Sequence, residues 1–207
     1  MINMYIISNC IFIIDEFNDK YTDIKEKSKL KEIADTVFTE MDFVFRLASP
    51  FRNFANINAN TTADIIVKSK DFAIEVKLFR NWKSKTGCAN KMMWQTLQKD
   101  FDWLENAIRE GKKGKRAIVL GWFNAVDRFS EIVQLGKGGG GWPEINEDRI
   151  RYFPFLNKRG VKTKDIFYMY NDAYKELRIP INGYGHDVIN CMFLGKERDK
   201  FHIALYY

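Results

Sequence analysis

The sequence has 207 residues, of which 46% are hydrophobic, 15% aromatic and 29% charged. This composition favours a soluble globular protein over a disordered chain or a bundle of membrane helices. Lysine and arginine exceed aspartate and glutamate by 33 to 27, and the net charge of +6 modestly favours a polyanionic partner such as nucleic acid. The length suits a single domain over residues 1–207.

The N-terminal segment is apolar but lacks the basic start of a secretion signal. Residues 4–14 predict a strand or a short buried helix, and no lysine or arginine precedes Lys20. No later apolar run reaches the roughly 18 residues of a membrane helix. Cys10, Cys88 and Cys191 are far apart, which fits buried reduced thiols better than disulfides or a zinc site. These features predict a cytoplasmic protein with no membrane partner.

The next segment predicts one amphipathic helix from Ser28 to Phe45. Its apolar residues recur at spacings of three and four, and Ser28 can cap its start. The apolar stripe consists of Leu30, Ile33, Ala34, Val37, Phe38, Met41 and Phe45. The end of the helix is ambiguous, because residues 43–47 also fit the beginning of a first strand.

Two short apolar segments then predict a hairpin. Residues 63–67 and 72–79 have the composition of buried strands, and the polar residues 68–71 form a tight connection between them. A polar, basic loop follows, and after it the apolar positions of residues 93–108 recur at helical spacing. Residues 117–123 predict a further strand.

This order of elements predicts an α/β fold around a mixed central sheet, in which the helix at 93–108 is a crossover between strands. The predicted core spans about residues 28–123, preceded by an N-terminal strand or helix within residues 1–27. Residues 124–207 are expected to form an elaboration packed on that core, with a helix near 166–177 and a terminal hairpin.

The predicted hairpin carries three charged residues in an apolar context. Asp64 lies in the first strand segment, and Glu75 and Lys77 share one face of the second because side chains alternate along a strand. Burying such groups is costly unless they are paired or bind a metal ion. Carboxylate oxygens are the ligands that Mg²⁺ and Mn²⁺ prefer, so a metal site is one explanation. The alternative is a structural Asp64 and a Glu75–Lys77 ion pair on a solvated sheet face.

The segments Thr62-Ala63-Asp64 and Glu75-Val76-Lys77 resemble the active-site motif of the PD-(D/E)xK nuclease superfamily, which has the restriction-endonuclease-like fold. The resemblance covers about half of the chain and includes the order helix, three-stranded meander, helix and strand. Ala63 stands where the family usually has a proline, which shapes the backbone and binds no metal. Two other [DE]-x-K matches, at residues 23–25 and 110–112, lack the strand context.

The resemblance implies further site residues on both helices. Glu40 lies at the edge of the apolar stripe of the first helix, where family members often supply a third metal ligand. Gln98 flanks the apolar face of the helix at 93–108 and is the preferred additional catalytic candidate. Nucleic-acid contacts are expected from basic and aromatic residues near the motif, namely Arg80, Trp82, Lys83, Lys85 and Lys91.

The implied activity is that of a Mg²⁺-dependent endonuclease, with Mn²⁺ able to substitute, that acts on nucleic acid and favours DNA over RNA. Asp64, Glu75 and Glu40 would bind the metal, and Asp64, Glu75, Lys77 and Gln98 would form the catalytic set. Restriction, phage defence and repair all use such sites. Two alternatives stay open, a catalytically inactive nucleic-acid-binding module and a structural or assembly protein, and a homodimer is compatible with each.

Overall fold

The computed structural model describes residues 2–53, 55–57, 63–80, 93–126, 128–138, 141–181, 183 and 187–207. Within these residues, seven strands form one mixed sheet, namely β1 (Asn56–Ile57), β2 (Ile65–Val67), β3 (Phe72–Phe79), β4 (Arg116–Phe123), β7 (Glu176–Pro180), β8 (Val188–Leu194) and β9 (Phe201–Tyr206). Their order across the sheet is β1-β2-β3-β4-β9-β8-β7. Two further strands, β5 (Leu156–Lys158) and β6 (Ile166–Tyr168), pair separately. The predicted α/β class with a mixed sheet is confirmed.

Helices cover both faces of the sheet. The helices are α1 (Ile2–Lys20), α2 (Lys27–Glu32), α3 (Glu40–Ala48), α4 (Met93–Arg109), α5 (Phe129–Ile132) and α6 (Glu147–Ile150). Buried residues of α1, α2 and α3 form one hydrophobic core with one face of the sheet. Buried residues of α4, α5, α6 and the β5–β6 pair form a second core on the opposite face. Hydrophobic packing therefore extends well beyond the core predicted at residues 28–123.

The N-terminal region is helical, which decides between the two structures predicted for residues 4–14. α1 buries Ile6, Ile13 and Phe17 and leaves Met4 and Phe12 exposed, so one side of the helix packs on the sheet. Cys10 and Cys191 are buried free thiols, while Cys88 lies outside the described residues. None of the helices in the described part of the chain combines the length and apolar character that crossing a membrane requires.

The single helix predicted from Ser28 to Phe45 is wrong, because the chain breaks into two helices. α2 is followed by a π-helical turn over Ile33–Val37, and Phe38 is extended. Thr39 then starts α3 with a capping box, in which its side chain and that of Asp42 bond each other's backbone amides. The break shifts the helical phase, so Phe45, predicted to face the core, is 56% exposed. Residues 43–47 belong to α3 and not to a strand.

The hairpin and the crossover match the prediction. β2 pairs antiparallel with β3, with Ile65 opposite Ile74, and β1 adds a third short strand beside β2. β3 pairs parallel with β4, with Glu75 beside Ile118 and Lys77 beside Leu120. A parallel pair requires a crossover connection, and α4 lies within the connection between these two strands.

The C-terminal half completes the sheet and is not an outer addition to it. β9 pairs antiparallel with β4 on one side and with β8 on the other, so the predicted terminal hairpin is confirmed but lies inside the sheet. The edge that follows it is β7, so the hairpin offers no free edge for a partner. The helix predicted near 166–177 is wrong: this segment contains β6, a 3₁₀ turn over Tyr170–Asp172 and the start of β7. Its aromatic and β-branched residues favour strands over the coincidental helical spacing.

Candidate active site

The site begins at a stretch of β3 that β2 does not cover. β2 pairs with β3 only up to Ile74, and the backbone amides of Val76 and Leu78 beyond that point bond to carboxylates. The Val76 amide donates to Asp64 Oδ2 at 2.8 Å, and the Leu78 amide donates to Glu40 Oε2 at 2.9 Å. These amides are two residues apart, roughly 7 Å along a strand. Two carboxylates from different elements are thus fixed side by side along β3.

Local structure holds Glu40 in this position. Glu40 is the first residue of α3, directly after the Thr39 cap. The Thr39 amide donates to Asp42 Oδ2 at 2.8 Å, and the Asp42 amide donates to Thr39 Oγ1 at 3.2 Å, which fixes the start of the helix. Arg80, just after β3, donates to the Phe38 carbonyl at 2.7 Å and ties the two segments together. The Arg80 guanidinium, predicted to contact nucleic acid, therefore has a structural partner.

Glu75 and Lys77 lie on the face of β3 that packs against α4. Their side chains form an ion pair and are only 16% and 15% exposed. Lys77 Nζ also lies 3.6 Å from Oδ2 of Asp100, an α4 residue whose side chain is 13% exposed. That Asp100 oxygen is buried and has no hydrogen-bond partner among the described residues. The burial argues against the alternative of a Glu75–Lys77 pair on a solvated face.

Together, Glu40, Asp64, Glu75, Lys77 and Asp100 form what we call the acid–lysine cluster. Asp64 directly precedes β2, and its negative charge helps to raise the pKa values of Glu75, Lys77 and Asp100. The charge of Glu40 helps to raise the pKa of Glu75 in the same way. With all carboxyl groups ionised, four negative charges would surround one ammonium group. Such an excess of negative charge in a half-buried site attracts a cation.

The cluster shifts the proton affinities of its members. Burial raises the pKa of Asp100 to about 7, and the neighbouring Lys77 ammonium only partly opposes this rise. Burial also raises the pKa of Glu75, although the hydrogen bond and charge of Lys77 act in the opposite direction. For Lys77, burial alone lowers the pKa, but the charges of Asp100 and Glu75 outweigh it and the pKa lies above its ordinary value. Lys77 is therefore cationic at neutral pH, and Asp100 is partly protonated.

The structure brings together four of the predicted catalytic and metal-binding residues, Glu40, Asp64, Glu75 and Lys77, but not Gln98. Gln98 is exposed, and it precedes Asp100 by two residues, which places it about 160° around the helix from Asp100. Asp100 is the α4 residue that sequence reasoning missed. The predicted nucleic-acid contacts Trp82, Lys83, Lys85 and Lys91 lie outside the described residues.

The donor chemistry of the cluster suits a hard divalent cation. No group of three or more histidine, cysteine, aspartate or glutamate side chains is close enough to enclose a metal ion within the described residues. Mg²⁺ does not need such an enclosure, because it usually takes one or two carboxylates and completes its shell with water and substrate phosphate. Asp64 and Glu75 offer this number, with Glu40 beside them, and the buried Oδ2 of Asp100 lies 3.6 Å from Lys77 Nζ without a hydrogen-bond partner among the described residues.

Comparisons of the whole chain with known proteins found no similarity that identifies a family, since no family model, curated protein or solved structure matches it.

Proposed function

We propose that this protein is a Mg²⁺-dependent nuclease of the PD-(D/E)xK type, a single domain built on a restriction-endonuclease-like core. The observation that carries the proposal is that Glu40, Asp64 and Glu75, from separate elements of the fold, lie along one stretch of β3, where Glu75 pairs with Lys77. The sequence of α3, the β1–β3 meander, α4 and β4 supports it, since this is the order of elements in that core.

Asp64 and Glu75 would hold the metal ion, with Glu40 beside them as the third candidate ligand and with Mn²⁺ able to replace Mg²⁺. A bound divalent cation would lower the pKa of a water molecule and offset the negative charge that develops on the phosphodiester. The hydrogen bonds from the Val76 and Leu78 amides use Oδ2 of Asp64 and Oε2 of Glu40. Because a carboxylate has two oxygens, each group is oriented by one oxygen and can bind with the other.

Lys77 is the cationic group of the site, and two acids determine its position. Glu75 pairs with it along the strand, and Asp100 faces it from α4. In the reaction, the Lys77 ammonium orients the attacking water and stabilises negative charge on the phosphate. Asp100 acts as a positioning residue that holds the Lys77 side chain between β3 and α4 and can exchange a proton near neutral pH.

The substrate class follows from the resemblance and the charge. We favour DNA over RNA, internal cleavage, and a 5′-phosphate product, and the net charge of +6 supports a polyanionic substrate. Buried free thiols at Cys10 and Cys191 support action in the reducing cytoplasm. Restriction, phage defence and repair are the roles that use such sites.

A substrate screen tests the proposal. Purified protein is incubated with single-stranded, duplex and branched DNA and with RNA, in Mg²⁺, in Mn²⁺ and in EDTA. We expect cleavage of at least one substrate in either metal, none in EDTA, and loss of cleavage in Lys77→Ala. Absence of cleavage from the whole screen would reject the proposal, and salt-sensitive binding in that case would favour an inactive nucleic-acid-binding module.

A further inference from the structure

A second concave site lies on the face of the sheet that α4 covers. The cavity has a volume of about 420 Å³, within the usual range for small-molecule sites, and opens between α5, Trp142 and the β5–β6 pair. Aromatic side chains supply much of its lining, namely Phe129, Trp142, Phe167, Tyr168 and Tyr170. We call this cavity the aromatic pocket.

One aromatic side chain of the pocket is fixed by packing in the core, and another is exposed to solvent. Tyr168 belongs to a stacked group that includes Trp122, Phe155 and Phe193, so it is held by the second hydrophobic core. Trp142, in contrast, is 44% exposed and presents its indole ring at the mouth of the pocket. An exposed tryptophan beside a fixed aromatic wall suits a flat ring that stacks on it.

The charged residues of the lining distinguish a nucleotide from a purely apolar ligand. Arg128 and Lys164 supply two cations, and Glu197 is the acid among the described lining residues. The Arg128 guanidinium lies over one face of the Trp142 ring, 5.3 Å from its centre, so the opposite face is the one on which a base can stack. Arg128 also pairs with Glu131, but both side chains are more than 40% exposed, and such a pair is weak enough to exchange for phosphate. Glu197 can accept a hydrogen bond from an exocyclic amino group of a base.

The pocket is close to the acid–lysine cluster. Phe79 follows Lys77 by two residues on the same face of β3, and its ring centre lies 5.7 Å from that of Phe129 in the pocket lining. Phe79 and Phe129 are both buried, so this contact places the pocket on the α4 side of the sheet, beside the end of β3 that follows Lys77. Gln134, just after α5, accepts from the Trp94 amide at 3.1 Å and joins this region to the start of α4.

We propose that the aromatic pocket binds an unstacked nucleobase with its phosphate, so that the preferred substrate carries an unpaired nucleotide near the scissile bond. The base stacks on Trp142, and Arg128 and Lys164 contact the phosphate. The placement near a cleavage site rests on the proposed nuclease function, whereas nucleotide binding in the pocket does not.

Binding is measured in EDTA, so that no cleavage occurs. One arm titrates cytidine and adenosine 5′-monophosphates, with ribose 5-phosphate as the base-free control, to detect a free nucleotide as the ligand. The other arm compares a DNA duplex carrying a single 2-aminopurine bulge with the same duplex fully paired. Fluorescence quenching of the bulged base reports stacking, and anisotropy reports affinity.

Four variants locate the binding. Trp142→Ala should weaken binding of the bulged duplex about 5- to 100-fold and leave the paired duplex within about twofold, and Trp142→Phe should restore most of the loss. Lys164→Ala should reduce the salt dependence of binding. The matched control is Phe12→Ala, which removes a 70% exposed aromatic ring from α1, on the other face of the sheet.

The outcomes separate the two proposals. Equal binding of bulged and paired duplex, or identical behaviour of the Trp142→Ala and Phe12→Ala variants, would overturn the pocket proposal even if the protein cleaves DNA. Tryptophan-dependent binding of the bulged base or of a mononucleotide would support the pocket even if the substrate screen finds no cleavage. Circular dichroism of each variant establishes that the fold is retained.

Discussion

Replacing Asp100 with asparagine tests the electrostatics of the acid–lysine cluster without removing a proposed metal ligand. Burial raises the pKa of Asp100 from its ordinary value of 3.8 to about 7. Because this pKa is higher in the folded protein, the folded state binds the proton more tightly than the unfolded chain does. The contribution of Asp100 to stability is therefore complete below about pH 4 and lost as the pH rises through 7.

The two pKa values set the magnitude of the effect. Their difference corresponds to an upper limit of about 4 kcal/mol in the free energy of unfolding at pH 8. Asp100→Asn stays neutral at every pH, so relative to the wild type it should gain stability steadily between pH 4 and pH 8. The difference in the free energy of unfolding between Asp100→Asn and the wild type should be largest above pH 7, where it levels off.

Urea unfolding at a series of pH values in EDTA measures the difference in stability between Asp100→Asn and the wild type. The pH effects of all other groups are shared by the two proteins and cancel in this difference. Asp23→Asn is the matched control, since it removes an aspartate that lies in an exposed turn and is not a member of the cluster. A difference between Asp100→Asn and wild type that is constant with pH would refute the reasoning. So would a loss of stability in the variant above pH 7, which would mean that ionised Asp100 is stabilised by Lys77 more than burial disfavours it.

Three further predictions concern the structure around the cluster. Gly121→Ala should lower the free energy of unfolding by about 1–3 kcal/mol in urea titrations, because a methyl group there would lie 2.5 Å from the ring of Phe43 in α3. Thr39→Ala should cost about 1 kcal/mol in the same assay through loss of the α3 cap, and Thr39→Ser should cost much less. Mg²⁺ at ten times its dissociation constant should stabilise the wild type by about 1.4 kcal/mol in thermal unfolding, and an Asp64→Asn variant should show a markedly smaller gain.

The three site residues on the β2–β3 hairpin could be predicted because the sequence features that mark them lie within short segments of the chain. Asp64, Glu75 and Lys77 are charged residues in short apolar segments, and the alternation of a strand fixes which of them share a face. The family resemblance points to a glutamate on the first helix, and helical spacing favours Glu40, although α3 begins only at that residue. The signal for the helix break was also present, since Thr39 and Asp42 have the spacing of a capping box.

The choice between Gln98 and Asp100 could not be made from helical spacing alone. Leu97, Phe101 and Leu104 define the buried stripe of α4, and Gln98 and Asp100 flank it on opposite edges. Which edge faces the charged end of β3 depends on how α4 packs on the sheet, through contacts with residues far away in the sequence. The position of β9 inside the sheet is likewise set by pairing between residues about 80 positions apart in the chain, which no local pattern encodes.

The rate of phosphodiester cleavage by matched aspartate variants tests the central claim most directly. Initial rates are measured in Mg²⁺ on the best substrate of the screen for the wild type, Asp64→Asn and Asp23→Asn. The proposed site predicts that Asp64→Asn loses at least about 100-fold in rate while Asp23→Asn stays close to the wild type. Equal rates in all three proteins, or cleavage that persists in EDTA, would contradict a metal-dependent active site at Asp64.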